Sequence, residues 1–149
     1  MHNGVFMEDE EKRGYMQNLA MEADAHQKRG QELQNQMQSL QMAEMEMHKT
    51  RDALKNLKEK GSALFSLGSG VFVSGELKNT NKILVNIGSN VLVEMDVDRT
   101  LKFIEEREKE VDQAKEELLK AIQVISGRLR EIDTEARKLI GHEHEKGER

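Results

Sequence analysis

The 149-residue sequence has no proline, no cysteine and no tryptophan, and only four phenylalanines and one tyrosine. Without cysteine there are no disulfides and no thiolate chemistry, and a reducing compartment is permitted. Without proline nothing interrupts a long helix, and the abundant Glu, Lys, Gln, Leu, Met and Arg all favour one. Aromatics at 3% against charged residues at 34% leave little bulky apolar matter to offset the ordering entropy of a compact core. Most of the chain is therefore expected to bury only a narrow stripe. No apolar run approaches the roughly 20 residues that cross a bilayer, and the N-terminus lacks a signal-peptide core, so the reading is a soluble, cytoplasmic protein with no membrane partner. A net charge of −5 with both signs interspersed offers no basic face for nucleic acid.

What is present is a heptad. From about Glu8 to Lys60, Leu19, Leu33, Leu40, Met47 and Leu54 recur at seven, with His26 breaking the series. Companion positions run Met16, Ala23, Gly30 and Met37, then are expected to shift to Ala43, Thr50 and Leu57. Gly61, after Lys58, Glu59 and Lys60, has the chemistry of a helix end. A second stretch, Asp98 to Ile140, repeats the pattern with Ile104, Val111, Leu118, Ile125, Ile132 and Leu139, with Ile122, Leu129 and Ala136 as companions. Asp96 and Asp98 stand where an N-cap and the positive helix end favour carboxylates. If the helices fold back on each other, partners whose numbers add to 158 pair Leu54 with Ile104, Leu33 with Ile125 and Leu19 with Leu139. The seam is expected to be looser toward the termini.

Between the helices the period changes. Val71-Phe72-Val73, Ile83-Leu84-Val85 and Val91-Leu92-Val93 are β-rich runs divided by Gly, Ser and Asn, and the segment reads as four strands. It contains a repeat: Leu67-Gly68-Ser69-Gly70-Val71-Phe72-Val73 is answered twenty residues on by Ile87-Gly88-Ser89-Asn90-Val91-Leu92-Val93. Each copy is strand, tight turn, strand, with Ser69-Gly70 and Ser89-Asn90 suited to positive φ and Asn79-Thr80-Asn81 as the link. Two hairpins leave open edges and too little core to stand alone, so they are expected to join strands of other subunits. The expected division is an N-terminal coiled-coil helix over 1–61, hairpins over 62–96, a C-terminal coiled-coil helix over 97–141 and a disordered tail over 142–149.

Catalytic signatures are wanting. His142-Glu143-His144-Glu145 has i, i+2 spacing in a charged, glycine-flanked tail, which fixes no coordination geometry. Gly68-Ser69-Gly70 is too short for a phosphate loop and no Lys-Ser/Thr pair follows it. No Ser-His-Asp or paired-carboxylate set stands out. The chain is expected to be no enzyme and to need no metal or other cofactor.

The order long helix, paired hairpins, long helix, with Leu67-Gly68-Ser69-Gly70-Val71-Phe72-Val73, Asn79-Thr80-Asn81-Lys82-Ile83-Leu84-Val85 and Ile87-Gly88-Ser89-Asn90-Val91, resembles the α class of prefoldin, most strongly from about Leu64 to Arg107. Ser66 stands where many relatives have proline, and Asn90 where glycine is frequent. The resemblance implies a mainly α fold, an antiparallel coiled-coil hairpin whose β-hairpins join an oligomeric β-barrel. It implies a hexamer of two α and four β subunits that holds unfolded polypeptides at its coiled-coil tips and delivers them to a group II chaperonin without ATP. A structural scaffold or filament of the same type is the alternative.

In such a hairpin the termini build the tip. Met16, Leu19, Met21, Leu129, Ile132, Leu139 and Ile140 are then the candidate client contacts, although Leu19, Leu129, Ile132 and Leu139 also belong to the seam. Met21, Met42 and Met45 lie off the seam, where a flexible thioether suits a promiscuous binder. Val71, Phe72, Val73, Leu84, Val85, Ile87, Val91 and Val93 are the candidate assembly residues, apolar at consecutive positions as strands covered on both sides would be.

Overall fold

The computed structural model describes the backbone of residues 3–57 and 61–147, and side chains over 8–57 and 61–141. The order is α1 (Asn3–Leu57), β1 (Ser62–Gly68), β2 (Val71–Glu76), β3 (Ile83–Asn86), β4 (Leu92–Met95) and α2 (Val97–Gly147). This is the mainly helical arrangement with two hairpins that the periodicity predicts. The chain divides into two compact units, one of residues 1–39 with 115–149 and the other of residues 40–114.

In the first unit the two helices run antiparallel, since Tyr15 meets Glu135 and Glu22 meets Arg128. Its most buried apolar side chains are Leu33 at 3%, Leu19 at 4% and Ile132 at 5% exposure. A β-carbon on Gly30 would lie 3.6 Å from Ile125 Cγ2, so Ile125 lies over Gly30, one turn from Leu33. Across an antiparallel seam the two series interleave, and a residue of the companion series faces one of the main series.

In the second unit Leu54, Val97 and Ile104 form a buried cluster, with Met47, Leu57, Ile83 and Leu101 packed against it. Ile83 brings the second hairpin onto the helices. Val97 is the first residue of α2, whose start is fixed by Asp96: its Oδ1 accepts from the Arg99 N–H at 2.7 Å and its carbonyl accepts from Thr100 Oγ1 at 2.6 Å. Asp96 is thus the expected N-cap, and Asp98 sits in the first turn.

Of the expected shifted companions, Ala43 and Leu57 are half-buried and Thr50 departs. Thr50 is exposed, its hydroxyl donating to the Glu46 carbonyl at 2.9 Å, while Glu44 and Arg51 are half-buried and keep the original spacing of seven. Arg51 Nη2 pairs with Glu108 Oε2 across the seam, so a charged pair takes a seam position there. Helical backbone continues to Gly147, beyond the boundary expected at 141. With no proline in the chain, a single glycine at 141 costs a helix only about 1 kcal/mol. Lys58, Glu59 and Lys60, the expected basic last turn, lie outside the described residues.

Candidate interaction surfaces

The hairpins form two separate two-stranded antiparallel sheets, β1 with β2 and β3 with β4. Their turns are alike in detail. Gly68, Ser69 and Gly70 have φ of 102°, 50° and 77°, and Gly88, Ser89 and Asn90 have 126°, 49° and 59°. Two consecutive central residues at positive φ reverse the chain with the twist that antiparallel strands need. Each turn is braced by the residue two places before its glycine: the Gly68 N–H donates to Ser66 Oγ at 3.4 Å and the Gly88 N–H to Asn86 Oδ1 at 2.9 Å. The twenty-residue repeat in sequence is therefore also a repeat in hydrogen bonding. In β1 a bulge between Ser66 and Gly68 leaves Leu67 without a cross-strand partner.

These strands present apolar side chains to solvent. Val71, Phe72, Val73, Leu84, Ile87 and Val91 are all exposed, Phe72 at 61%, whereas Val85 and Val93 are half-buried. Leu64, Phe65, Leu67 and Leu92 are exposed beside them and extend the set beyond the residues singled out from sequence. Leu67 could have been found, because it is the counterpart of Ile87 in the repeat. So dense an apolar surface on four short strands with open edges is unusual for a surface left to solvent. The same unit holds a cavity of about 630 Å³ lined by Met47, Leu54, Ile83, Val85 and Ile104 among others. Phe103 and Arg107 also line it, the guanidinium 4.7 Å from the ring centroid.

The residues proposed for client contact fall in the other unit and divide by exposure. Met21 is 71% and Ile140 49% exposed, Met16, Leu129 and Leu139 are half-buried, and Leu19 and Ile132 are buried. Met42 and Met45, on α1 within the hairpin unit, are exposed as well. Met16, Leu139 and Ile140 come together in a cavity of about 400 Å³ whose polar wall is Asp9, Lys12, Arg13 and Gln17. The cleft combines a flexible thioether, two branched aliphatic groups and mobile charged stems, which suits apolar side chains of varied shape.

Next to this cleft lies a polar network that sequence reading missed. Arg128 donates through Nε and Nη2 to the two carboxylate oxygens of Glu22 at 2.6 and 3.0 Å, and through Nη1 to Glu131 Oε2 at 3.1 Å. Glu135 Oε1 lies 3.6 Å from Nη1, and Glu135 Oε2 accepts from the Tyr15 hydroxyl at 2.7 Å. The Arg128 fork holds the Glu22 carboxyl below its usual range, against the opposing effect of burial. The hydrogen bond to Glu135 raises the Tyr15 hydroxyl above its usual range, with burial and the carboxylate charge adding to it. Among the described residues no group of three or more metal-ligating side chains occurs, and His142-Glu143-His144-Glu145 lies outside the described side chains. No helix there is long and apolar enough to cross a membrane.

A family model described as "Prefoldin subunit" matches residues 26–142. A protein of Archaeoglobus fulgidus named prefoldin subunit alpha is 32% identical over 131 residues, covering 86% of this chain and 90% of that one. The prefoldin subunit alpha of Pyrococcus horikoshii is 30% identical over 128 residues, covering 83% and 86%. Among solved structures, the cryo-EM structure of filamentous PFD from Methanocaldococcus jannaschii matches with a TM-score of 0.69 at 22% identity, over 78% of this chain and 98% of that one. That last likeness is one of fold.

Proposed function

This chain belongs to the prefoldin family, as a chaperone subunit of its alpha type, and from that premise we propose that it is a holdase. In this reading it captures unfolded polypeptides at the coiled-coil end built from its termini and passes them to a group II chaperonin without nucleotide hydrolysis. The hairpins join those of other subunits, most simply as two α-type chains with four β-type chains, in the cytoplasm. The observation that carries the reading is the pairing of two apolar surfaces on one chain: the exposed strands around Phe72, and the cleft of Met16, Leu139 and Ile140 with Met21 nearby. The first is too extensive to stay solvated in a lone subunit, and the second is small, open and chemically unselective.

The test mixes the purified chain with a β-type prefoldin subunit, measures the mass of the product, and asks whether it suppresses aggregation of a denatured protein. A defined hetero-oligomer that suppresses aggregation without ATP supports the reading. Phe72→Asp should abolish the assembly and leave helical content intact, and an unchanged assembly mass would refute the role given to the hairpins. A second reading, a scaffold or filament of the same subunit type, is favoured by the filamentous description of the structural neighbour. A large homopolymer indifferent to a β-type partner would select it.

A further inference from the structure

We propose that Tyr15, Glu22, Arg128 and Glu135 form a polar clasp that keeps part of the client-binding surface shut, and that capture of unfolded polypeptide proceeds with its release; the inference rests on the reading of the terminal unit as the capture site. Glu22 and Tyr15 are on α1 and Arg128 and Glu135 on α2, so the two bonded pairs tie one helix to the other at two successive levels. Tyr15 and Glu22 stand one turn to either side of Leu19, and Arg128 and Glu135 one turn to either side of Ile132. The clasp thus brackets two of the best-buried apolar side chains of this unit, at 4% and 5% exposure. On the terminal side of Tyr15 and Glu135, no hydrogen bond or ion pair ties the helices among the described residues, and there Leu139 is half-buried and Ile140 exposed; Met16, next to Tyr15 on its inner side, is half-buried. The open cleft abuts the clasp, since Met16 and Gln17 in its wall follow Tyr15 directly in the chain.

The geometry is good and the setting weak, and that combination makes a latch rather than a permanent join. A forked Arg–carboxylate pair is specific in direction. Yet the side chains of Glu22 and Glu135 are 37% exposed and that of Arg128 is 32% exposed, so solvent and salt screen each bond. Removing the clasp should shift the closing equilibrium by on the order of fivefold, the scale of one or two exposed ion pairs. An unfolded chain that reaches the cleft and offers apolar side chains competes on that scale, and it gains Leu19, Leu129 and Ile132 when the helices part.

The experiment uses the full chain assembled with a β-type partner and, as probe, a reduced and alkylated protein that stays unfolded without denaturant. Amide exchange and probe affinity are measured for wild type, Arg128→Met and Glu22→Gln. The expected result is exchange over residues 15–26 and 125–139 faster by on the order of fivefold, unchanged exchange over 97–111, and tighter probe binding by a similar factor. Unchanged exchange in both variants overturns the clasp, and so does faster exchange with unchanged or weaker binding. Met21→Ser with Ile140→Ser tests the underlying reading separately: lost capture in that variant upholds the capture site whatever the clasp variants do, and undiminished capture overturns both.

Discussion

The ring of Phe65 lies so close over Gly75 that a β-carbon at position 75 would sit 2.9 Å from Phe65 Cε2. The two residues are diagonal neighbours in the first hairpin, since Phe65 pairs with Val73 and Gly75 with Ala63. Glycine inside a strand weakens it, and an aromatic ring laid across the bare backbone restores contact there.

Gly75→Ala should therefore force the ring outward and destabilise the assembled β domain by about 1–2 kcal/mol, the low range for overpacking because Phe65 is 41% exposed and able to move. Phe65→Leu should remove most of that cost. A double-mutant cycle on thermal stability checks the coupling, and an equal cost of Gly75→Ala in both backgrounds would contradict the contact.

The two turn glycines differ from the residues after them. Gly88 at φ 126° and Gly68 at φ 102° occupy backbone space that side chains rarely enter, whereas Asn90 at φ 59° is in the left-handed helical region that asparagine tolerates. Gly88→Ala should cost about 1–3 kcal/mol and loosen assembly, and Asn90→Gly should be near neutral. Chemical denaturation of the complex ranks them, and an Asn90→Gly effect as large as that of Gly88→Ala would be the wrong order.

Arg51 and Glu108 occupy the seam as a half-buried pair, and Glu108 Oε1 has no hydrogen-bond partner. Breaking such a pair from one side strands a charge, while replacing both members with apolar residues is often neutral or stabilising. Arg51→Leu alone should lower the melting temperature, and Arg51→Leu with Glu108→Leu should recover it or exceed wild type. Failure of the second change to rescue the first would show that the pair contributes more than it costs.

Tyr15 is the sole tyrosine of the chain, so its ionisation is visible in the ultraviolet spectrum of the isolated subunit without assignment. Its pKa is raised chiefly by the bond to Glu135, so Glu135→Gln should bring it back toward the ordinary value of 10.0. A raised tyrosine favours folding while it keeps its proton, and that contribution disappears as the pH climbs through its folded-state pKa, above 10.0. Glu22 is the opposite case: lowered by Arg128, it favours folding above its ordinary value of 4.5 and loses that contribution as the pH falls through its depressed pKa. Melting curves at pH 3 to 5 should depend on pH less steeply in Glu22→Gln than in wild type; parallel profiles would contradict the bond to Arg128.

Local features were legible in the sequence and cross-chain ones were not. The heptads around Leu33 and Ile132, the four strands, the Asp96 cap and the positive-φ turns follow from period and residue type, which act over a few neighbours. The register of the helices is harder to read, because two heptad series slide past one another by whole repeats without a change in pattern; contacts such as Ile125 over Gly30 fix it. The expected shift of the companion series through Thr50 does not foresee Arg51, because a charge facing an opposite charge across the seam leaves no apolar signal. The clasp joins residues more than a hundred positions apart, and neither Tyr15 nor Arg128 is distinguished by its immediate neighbours. Leu19 and Ile132 combine a place in the terminal unit with a place on the seam, and their burial follows the heptad.

The most direct measurement of the holdase reading is photo-crosslinking from the assembled complex to an unfolded probe, with the photoreactive amino acid at position 140, 21 or 92. Adducts from positions 140 and 21 and none from the hairpin position 92 are expected, because the first two are open in the terminal unit and the third would be covered by neighbouring subunits in the proposed assembly. Adducts from position 92 with none from 140 or 21 would place capture on the hairpins and contradict the division of labour proposed for the chain.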